Sequence, residues 1–254
     1  MSNSHQTTET RFVEANELLD LALRAAGGLD RWNKVQSIDV RVSLIGKLFQ
    51  LKGFPEGVPE CTMRINTRQP TVIISPYLRS DHRGYFTPDR VWIEDRAGQI
   101  IAERNNPRSS FDGETRTSPW DHLHLLYFIG YALWNYLTTP FMLTIPGFEM
   151  KEIDPHQENG LTWRCLQVKF PHDIPTHNNF QPGGEQTFFF NEEGLLQRVD
   201  YFAVGPAAHY RFDHTNFKGI IFPILRRVIS RPPTGLVQSA PTAVLIEVTD
   251  VVFT

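Results

Sequence analysis

A clean two-residue alternation, interrupted once by a long aromatic helix, constrains the possible folds of this chain more than any other feature. Ile38, Val40, Val42 and Leu44 are apolar, while Asp39, Arg41 and Ser43 between them are polar. A period of two puts these sets on opposite faces of a strand, so one face is buried and the other meets water. The same texture predicts strands near residues 60–66, 71–75, 78–86, 90–95 and 99–104. It returns near 148–153, 162–170, 185–190, 195–204, 207–213, 219–230 and 243–253. Asp95-Arg96-Ala97-Gly98, Glu158-Asn159-Gly160 and Glu192-Glu193-Gly194 supply hairpin turns. Half-buried strands joined by short turns make an antiparallel sheet rather than a series of βαβ units.

Two segments follow a helical period instead. In residues 12–26, Phe12, Leu18, Leu19, Ala22, Leu23 and Ala26 recur at helical spacing, and Gly27-Gly28 supplies the stop. A short turn from Leu29 to Val35 follows. The second segment, Ser118 to Leu143, reads SPWDHLHLLYFIGYALWNYLTTPFML and separates the two groups of strands. A helix apolar nearly all round is buried on several sides. The expected architecture is α+β: a disordered tail over residues 1–10, then one domain over 11–254 with a helical insertion at 118–143. Its antiparallel sheet, of about ten to twelve strands, curls into a half-barrel or barrel. The N-terminal helix and the central aromatic helix plug the concave face. With 254 residues and 41% hydrophobic content, the chain can bury a sizeable core. Two stretches, Pro171 to Gly184 and Arg231 to Pro241, break the rhythm and are long enough for lids or irregular crossings.

The segment AAGGLDRWNKVQSIDVRV, Ala25 to Val42, orders a helix, a Gly-Gly pair, a short helix and an alternating strand. In this and in its order of elements the chain resembles proteins with the lipoprotein-carrier half-barrel fold, among them the periplasmic lipoprotein chaperones. The resemblance implies an incomplete antiparallel barrel with helices over a hydrophobic cavity for acyl chains. The chain departs from that family in showing neither a signal peptide nor a lipobox cysteine, and function does not travel with fold.

Composition excludes several classes. The net charge is −3 and the densest basic cluster is Arg226-Arg227 with Arg231, too small for a nucleic-acid footprint. Cys61 and Cys165 lie far apart without CxxC spacing, which reads as buried thiols rather than a structural zinc site. The first residues lack a basic stretch followed by an apolar one, and Leu123 to Trp134 is too short to span a bilayer. The expected address is therefore cytoplasmic. Nucleotide-binding loops, a G-x-S-x-G elbow and H-E-x-x-H are all absent, so no cofactor and no resident metal is expected.

The candidate site gathers around histidines. His122 and His124 stand two apart on the central helix, so they point about 200° apart and cannot share one ion. Ser118-Pro119-Trp120-Asp121 has the form of a capping box with Ser118 as N-cap and Asp121 as N3, the bland alternative to a catalytic Asp-His pair. His124, Tyr127, Tyr131 and Trp134 fall at i, i+3, i+7 and i+10, a face of aromatic rings with polar tips. They either find hydrogen bonds inside a large core or line a cavity with Phe128, with His124 as base and Tyr127 or Tyr131 as proton donor. On a later strand His209, Arg211 and Asp213 share one face by period two. If that face points inward, His209 is a base beside a fixed cation; if outward, it is sheet decoration. Arg64 and His82 raise the same question as substrate-binding groups.

Two functions compete on these residues, with a third behind them. The preferred expectation is a cofactor-free acid–base enzyme, an isomerase, cyclase or lyase, acting on an apolar or aromatic small molecule. His124, His209, Tyr127, Tyr131 and Arg211 would be catalytic, and Trp134, His82, Arg64 and Phe128 would bind substrate. The alternative is a non-catalytic carrier of a lipid or other hydrophobic ligand, which needs the cavity but no titrating pair. The third is a metal-dependent enzyme built on dispersed histidines such as His82, His209 and His214. No membrane span and no nucleic-acid partner are expected, and open sheet edges would allow a homodimer.

Overall fold

A computed structural model describes residues 17–113, 115–177, 184–203, 205–231 and 241–254. The expected tail over 1–10, Phe12, and most of the loop from Arg231 to Pro241 lie outside the described residues, as does the middle of the Pro171–Gly184 loop.

The first half of the chain carries helix α1 (residues 17–25), α2 (Leu29–Trp32), strand β1 (Ser37–Ile45), α3 (Lys47–Leu51) and β2 (Val58–Asn66). It continues with β3 (Val72–Ser75), β4 (Arg83–Phe86), β5 (Arg90–Glu94) and β6 (Ile100–Asn105). Helix α4 (His122–Thr138) then precedes β7 (Glu149–Glu158), β8 (Leu161–Lys169), β9 (Glu185–Phe190) and β10 (Leu196–Phe202). The chain closes with β11 (Pro206–Phe217), β12 (Ile220–Ser230) and β13 (Thr242–Phe253).

The thirteen strands among the described residues form one antiparallel sheet in the order β6-β5-β4-β3-β2-β1-β13-β12-β11-β10-β9-β8-β7. Two meanders, β1 to β6 and β7 to β13, are thus joined through the pairing of the first strand with the last. The sheet stays open, with β6 and β7 at its two edges. Because these edge strands are consecutive in sequence, the chain between them must cross the whole sheet. The 17 residues of α4, about 25 Å long at 1.5 Å per residue, form the helical part of that crossing and pack against β2 to β6.

Alternation carries the core. On β1 the pattern of burial follows Ile38, Val40, Val42 and Leu44, and their partners Ile65, Met63, Cys61 and Val58 on β2 are buried too. The half of α4 facing β2 to β6 packs tightly. A Cβ added at Gly130 would stand 2.4 Å from Cγ of Phe86, so only glycine lets the helix axis come this close to the sheet. Gly27 ends α1 at φ +118°, a conformation that side chains rarely adopt, and its backbone touches Gly219 before β12.

Three sequence expectations are corrected. There are thirteen strands rather than about ten to twelve, because each of the thirteen stretches that read as strand forms one of its own and none merges with its neighbour. The strand near 78–86 is only Arg83–Phe86; Leu78 turns at φ 57°, and Tyr77 and Arg79 form an isolated bridge. Helix α3 was not anticipated, since five residues are too few to display a helical period. The curved, open α+β sheet with its N-terminal and central helices is as the sequence indicated.

A smaller cluster covers the convex face of the second meander. Trp163, Cys165 and Phe189 are buried there, with Ile153 and Tyr210 against them. The Arg198 guanidinium lies over Phe189 and forms a two-pronged pair with Asp200 at 2.6 and 2.7 Å, and it also reaches Glu158.

Candidate functional site

Between α4 and strands β11 to β13 the sheet and helix part to leave a cavity of about 380 Å³. Phe128, Ala132 and Tyr136, spaced four apart, form one wall with Ile129 and Leu133. The opposite wall is sheet: Ala207, Val228, Val244 and Ile246. Leu44, Leu48 and Leu51 close one side, the last two from α3. The charged side chains on the boundary, Lys47, Arg116 and Arg231, are all cationic. Its volume lies in the range of roughly 300–1,000 Å³ typical of small-molecule sites.

Four aromatic and imidazole groups meet at the inner wall. The Tyr136 hydroxyl lies 2.5 Å from Nε2 of His177 and 2.9 Å from the Tyr201 hydroxyl. His177 Nδ1 lies 3.2 Å from the Tyr131 hydroxyl, and its ring stacks on Tyr201 with centroids 4.3 Å apart. Burial depresses the His177 pKa to about 3, so the ring is neutral. Burial likewise lifts Tyr136 to about 12 and Tyr131 and Tyr201 well above the ordinary phenol range. These hydroxyls therefore keep their protons at neutral pH.

The structure spreads the sequence candidates over several surroundings. His124 stands at the start of α4, hydrogen-bonded to Asp121 and to the Ser110 carbonyl and edge-on to Phe111. Asp121 is itself the N-cap, accepting from the His124 backbone N–H at 2.8 Å; His124 takes N3, which corrects the expected box with Ser118 as cap. Arg104 also donates to the Asp121 carboxylate, whose pKa falls to about 2: partial burial opposes the fall, but Arg104 and the His124 N–H outweigh it. Tyr127 packs on Phe86 and Phe111, and burial pushes its pKa to about 12. Tyr131 reaches His177, while Trp134 donates to the Asn66 carbonyl at 2.8 Å. Arg64 projects from the convex face, paired with Asp39 at 2.8 Å. His82 sits beside Asp81 in the turn before β4. Phe128 lines the cavity, and His209 and Arg211 face inward and are buried.

The lining face of α4 is thus one step around from the face that the sequence singled out. Sequence reasoning missed Tyr136, His177, Tyr201 and Arg226. Arg226 carried a readable sign, since it occupies the buried phase of β12 with Phe222 and Val228. His177, in an irregular loop, carried none. Burial lifts both thiols, Cys61 to about 12 and Cys165 to about 11, so neither is a ready nucleophile. Among the described residues no group of three or more His, Cys, Asp or Glu side chains is placed to hold a metal ion, and His82, His209 and His214 do not converge. No described helix is long and apolar enough to cross a membrane.

No family model and no curated protein matches the sequence. Solved structures do match the fold. A DUF1329-family protein from Desulfovibrio piger superposes with a TM-score of 0.52 at 11% identity, over 94% of this chain and 92% of its own. A LolA-superfamily protein from Nitrosomonas europaea gives 0.50 at 9% identity, over 93% and 92%. A domain assigned to outer membrane lipoprotein sorting in Vibrio parahaemolyticus gives 0.50 at 11% identity, over 94% and 93%. These findings correct two expectations. The acid–base isomerase, cyclase or lyase gives way, because the structural neighbours are LolA-type and lipoprotein-sorting proteins, and they agree with the carrier alternative instead. The cytoplasmic address gives way on the same ground, since one neighbour is described by outer membrane sorting. Over more than nine-tenths of its length, the chain has the lipoprotein-carrier-like half-barrel fold.

Proposed function

We propose that this protein is a non-catalytic binding or carrier protein that holds a lipid or other hydrophobic small molecule between α4 and the curved sheet. The carrying observation is the cavity of about 380 Å³, walled by Phe128, Ile129, Ala132, Leu133, Val228 and Ile246. An apolar chain withdrawn from water gains about 0.8 kcal/mol per buried methylene, enough for a cavity of this kind to hold one without any chemistry. The rings that meet inside are held neutral, and they shape the wall instead of exchanging protons. The neighbour assigned to outer membrane lipoprotein sorting supports a carrier role of this kind and an address in the cell envelope.

Ala132→Trp tests the reading, because Ala132 lies on the helical wall and a larger side chain would fill the space. A neutral lauroyl-naphthalene dye, whose emission reports polarity, should bind the wild type with a blue shift. The variant should bind it about ten- to a hundredfold more weakly, the equivalent of roughly 1–3 kcal/mol of overpacking. Equal binding by a folded variant would remove the cavity as the ligand site. Absence of dye binding to the wild type would refute the carrier reading itself.

A further inference from the structure

We propose that Arg211 and Arg226 form an interior anion site, behind Tyr136 and next to the cavity, that seats the head group of an acidic amphiphile. The inference rests on the carrier reading and names the chemical class of its cargo.

Arg211 and Arg226 are direct cross-strand partners in the β11–β12 ladder. Both are buried, at 4% and 0% exposure. Like charges placed opposite each other on a sheet repel, and a charge taken from water is costly unless it is paired. Among the described residues no carboxylate pairs with them. All three guanidinium nitrogens of Arg226 and one terminal nitrogen of Arg211 have no hydrogen-bond partner among the described residues. His209, one step along the same face of β11, is fully buried with both ring nitrogens unpartnered as well. Arg198 on the convex face shows what this chain does with a buried guanidinium that serves only structure: it gives it Asp200 and Glu158.

The pair lies next to the cavity without lining it: Ile246, the β13 partner of Arg226, is part of the cavity wall, and Arg211 is the β11 partner of Arg226. Tyr136 borders the main cavity and also two small cavities, of about 20 and 10 Å³, that touch Arg211. The edge of its ring covers His209 at 4.3 Å between centroids. A carboxylate or phosphate entering past Tyr136 would meet two forks of donors suited to its geometry. His209, held neutral by burial and by the two arginines, still offers one N–H. An acyl chain attached to that head would extend past Tyr136 into the apolar part of the cavity.

The experiment compares hexadecanoic acid with hexadecanol, equal in chain and different in charge, by calorimetric titration of wild type, Arg226→Met and Arg211→Met. The acid should bind the wild type about ten- to a hundredfold more tightly than the alcohol, the worth of one or two charge-assisted hydrogen bonds. In either variant this preference should vanish while alcohol binding persists. Equal affinities in the wild type would overturn the anion site and leave the carrier reading standing, and this comparison holds even if a variant does not fold. If neither amphiphile binds, the carrier reading fails and small anions decide. Acetate or phosphate that raises the thermal midpoint of the wild type but not of Arg226→Met would uphold a site for free anions. No response to either would overturn it.

Discussion

Acidification should loosen this protein through the imidazole of His177, by an amount that can be worked out. The ring is buried between Tyr131, Tyr136 and Tyr201, and burial holds its pKa at about 3 against 6.5 for a free imidazole. In the folded chain it is neutral; in the unfolded chain it takes up a proton below 6.5. Its depressed folded pKa makes its contribution fully present above 6.5 and progressively lost as pH falls toward 3. Between pH 7 and pH 5 the unfolded chain gains about 0.7 of a proton at this position, a loss of about 2 kcal/mol. That is a large share of the roughly 5–15 kcal/mol that holds a domain folded. His209 and His214 are also depressed, chiefly by burial, and act in the same direction. The assay is urea unfolding followed by tryptophan fluorescence at both pH values, for wild type and His177→Gln. The variant keeps the other histidines, so their share cancels in the comparison. Wild type should lose about 2 kcal/mol more than the variant on going from pH 7 to pH 5. Equal losses would mean that His177 titrates in the fold as it does in water, and that its burial among the tyrosines is not maintained in solution.

Two further substitutions test the frame around the cavity. Gly130→Ala should cost roughly 1–3 kcal/mol in urea unfolding although alanine favours a helix, because its Cβ would meet the Phe86 ring at 2.4 Å; a neutral or stabilising result would show that α4 can move off β4. Asp121→Ala removes the N-cap of α4 and its Arg104 partner together, and should cost about 1–2 kcal/mol, read as a lower thermal midpoint. Asp121→Asn should recover most of that loss if capping, not charge, is the main contribution.

The fold was legible because its dominant signal is local. A strand with one face in the core repeats every two residues, and twelve of the thirteen strands announced themselves in this way from the shores of their turns. The order of Gly27-Gly28, the short helix and β1 carried the family resemblance on about twenty residues. What escaped had too little sequence to show a period, as in α3, or broke its own alternation, as at Leu78. Helix α4 was visible at once, but not which of its faces met the cavity. A helix apolar all round has no amphipathic phase to read, so the choice between Tyr127 with Tyr131 and Phe128 with Tyr136 is made by the sheet it packs against. His177 is brought to Tyr136 by a loop 41 residues later in the chain, a contact that no spacing announces.

The histidines drew attention because imidazole is the side chain of acid–base chemistry, yet the environment decides whether it can titrate. His124 became part of a helix cap, while His177 and His209 were buried deeply enough to stay neutral. The more telling sign was a different one, a basic residue on the apolar phase of a strand. In β12 the buried positions run Ile220, Phe222, Arg226 and Val228, and in β11 Ala207, His209 and Arg211. Alternation that predicts a core position and finds arginine there predicts a buried charge, and a buried charge requires a counter-charge. Where the chain supplies one, as for Arg198, the arginine explains itself through structure. On β11 and β12, beside the cavity, the described chain supplies none, and the requirement would pass to a ligand that reaches them from the cavity. A protein that draws its ligand in by the chain and anchors it by the head would discriminate acid from alcohol with the same two residues that strain its empty fold, so Arg226→Met should stabilise the ligand-free protein while abolishing that discrimination.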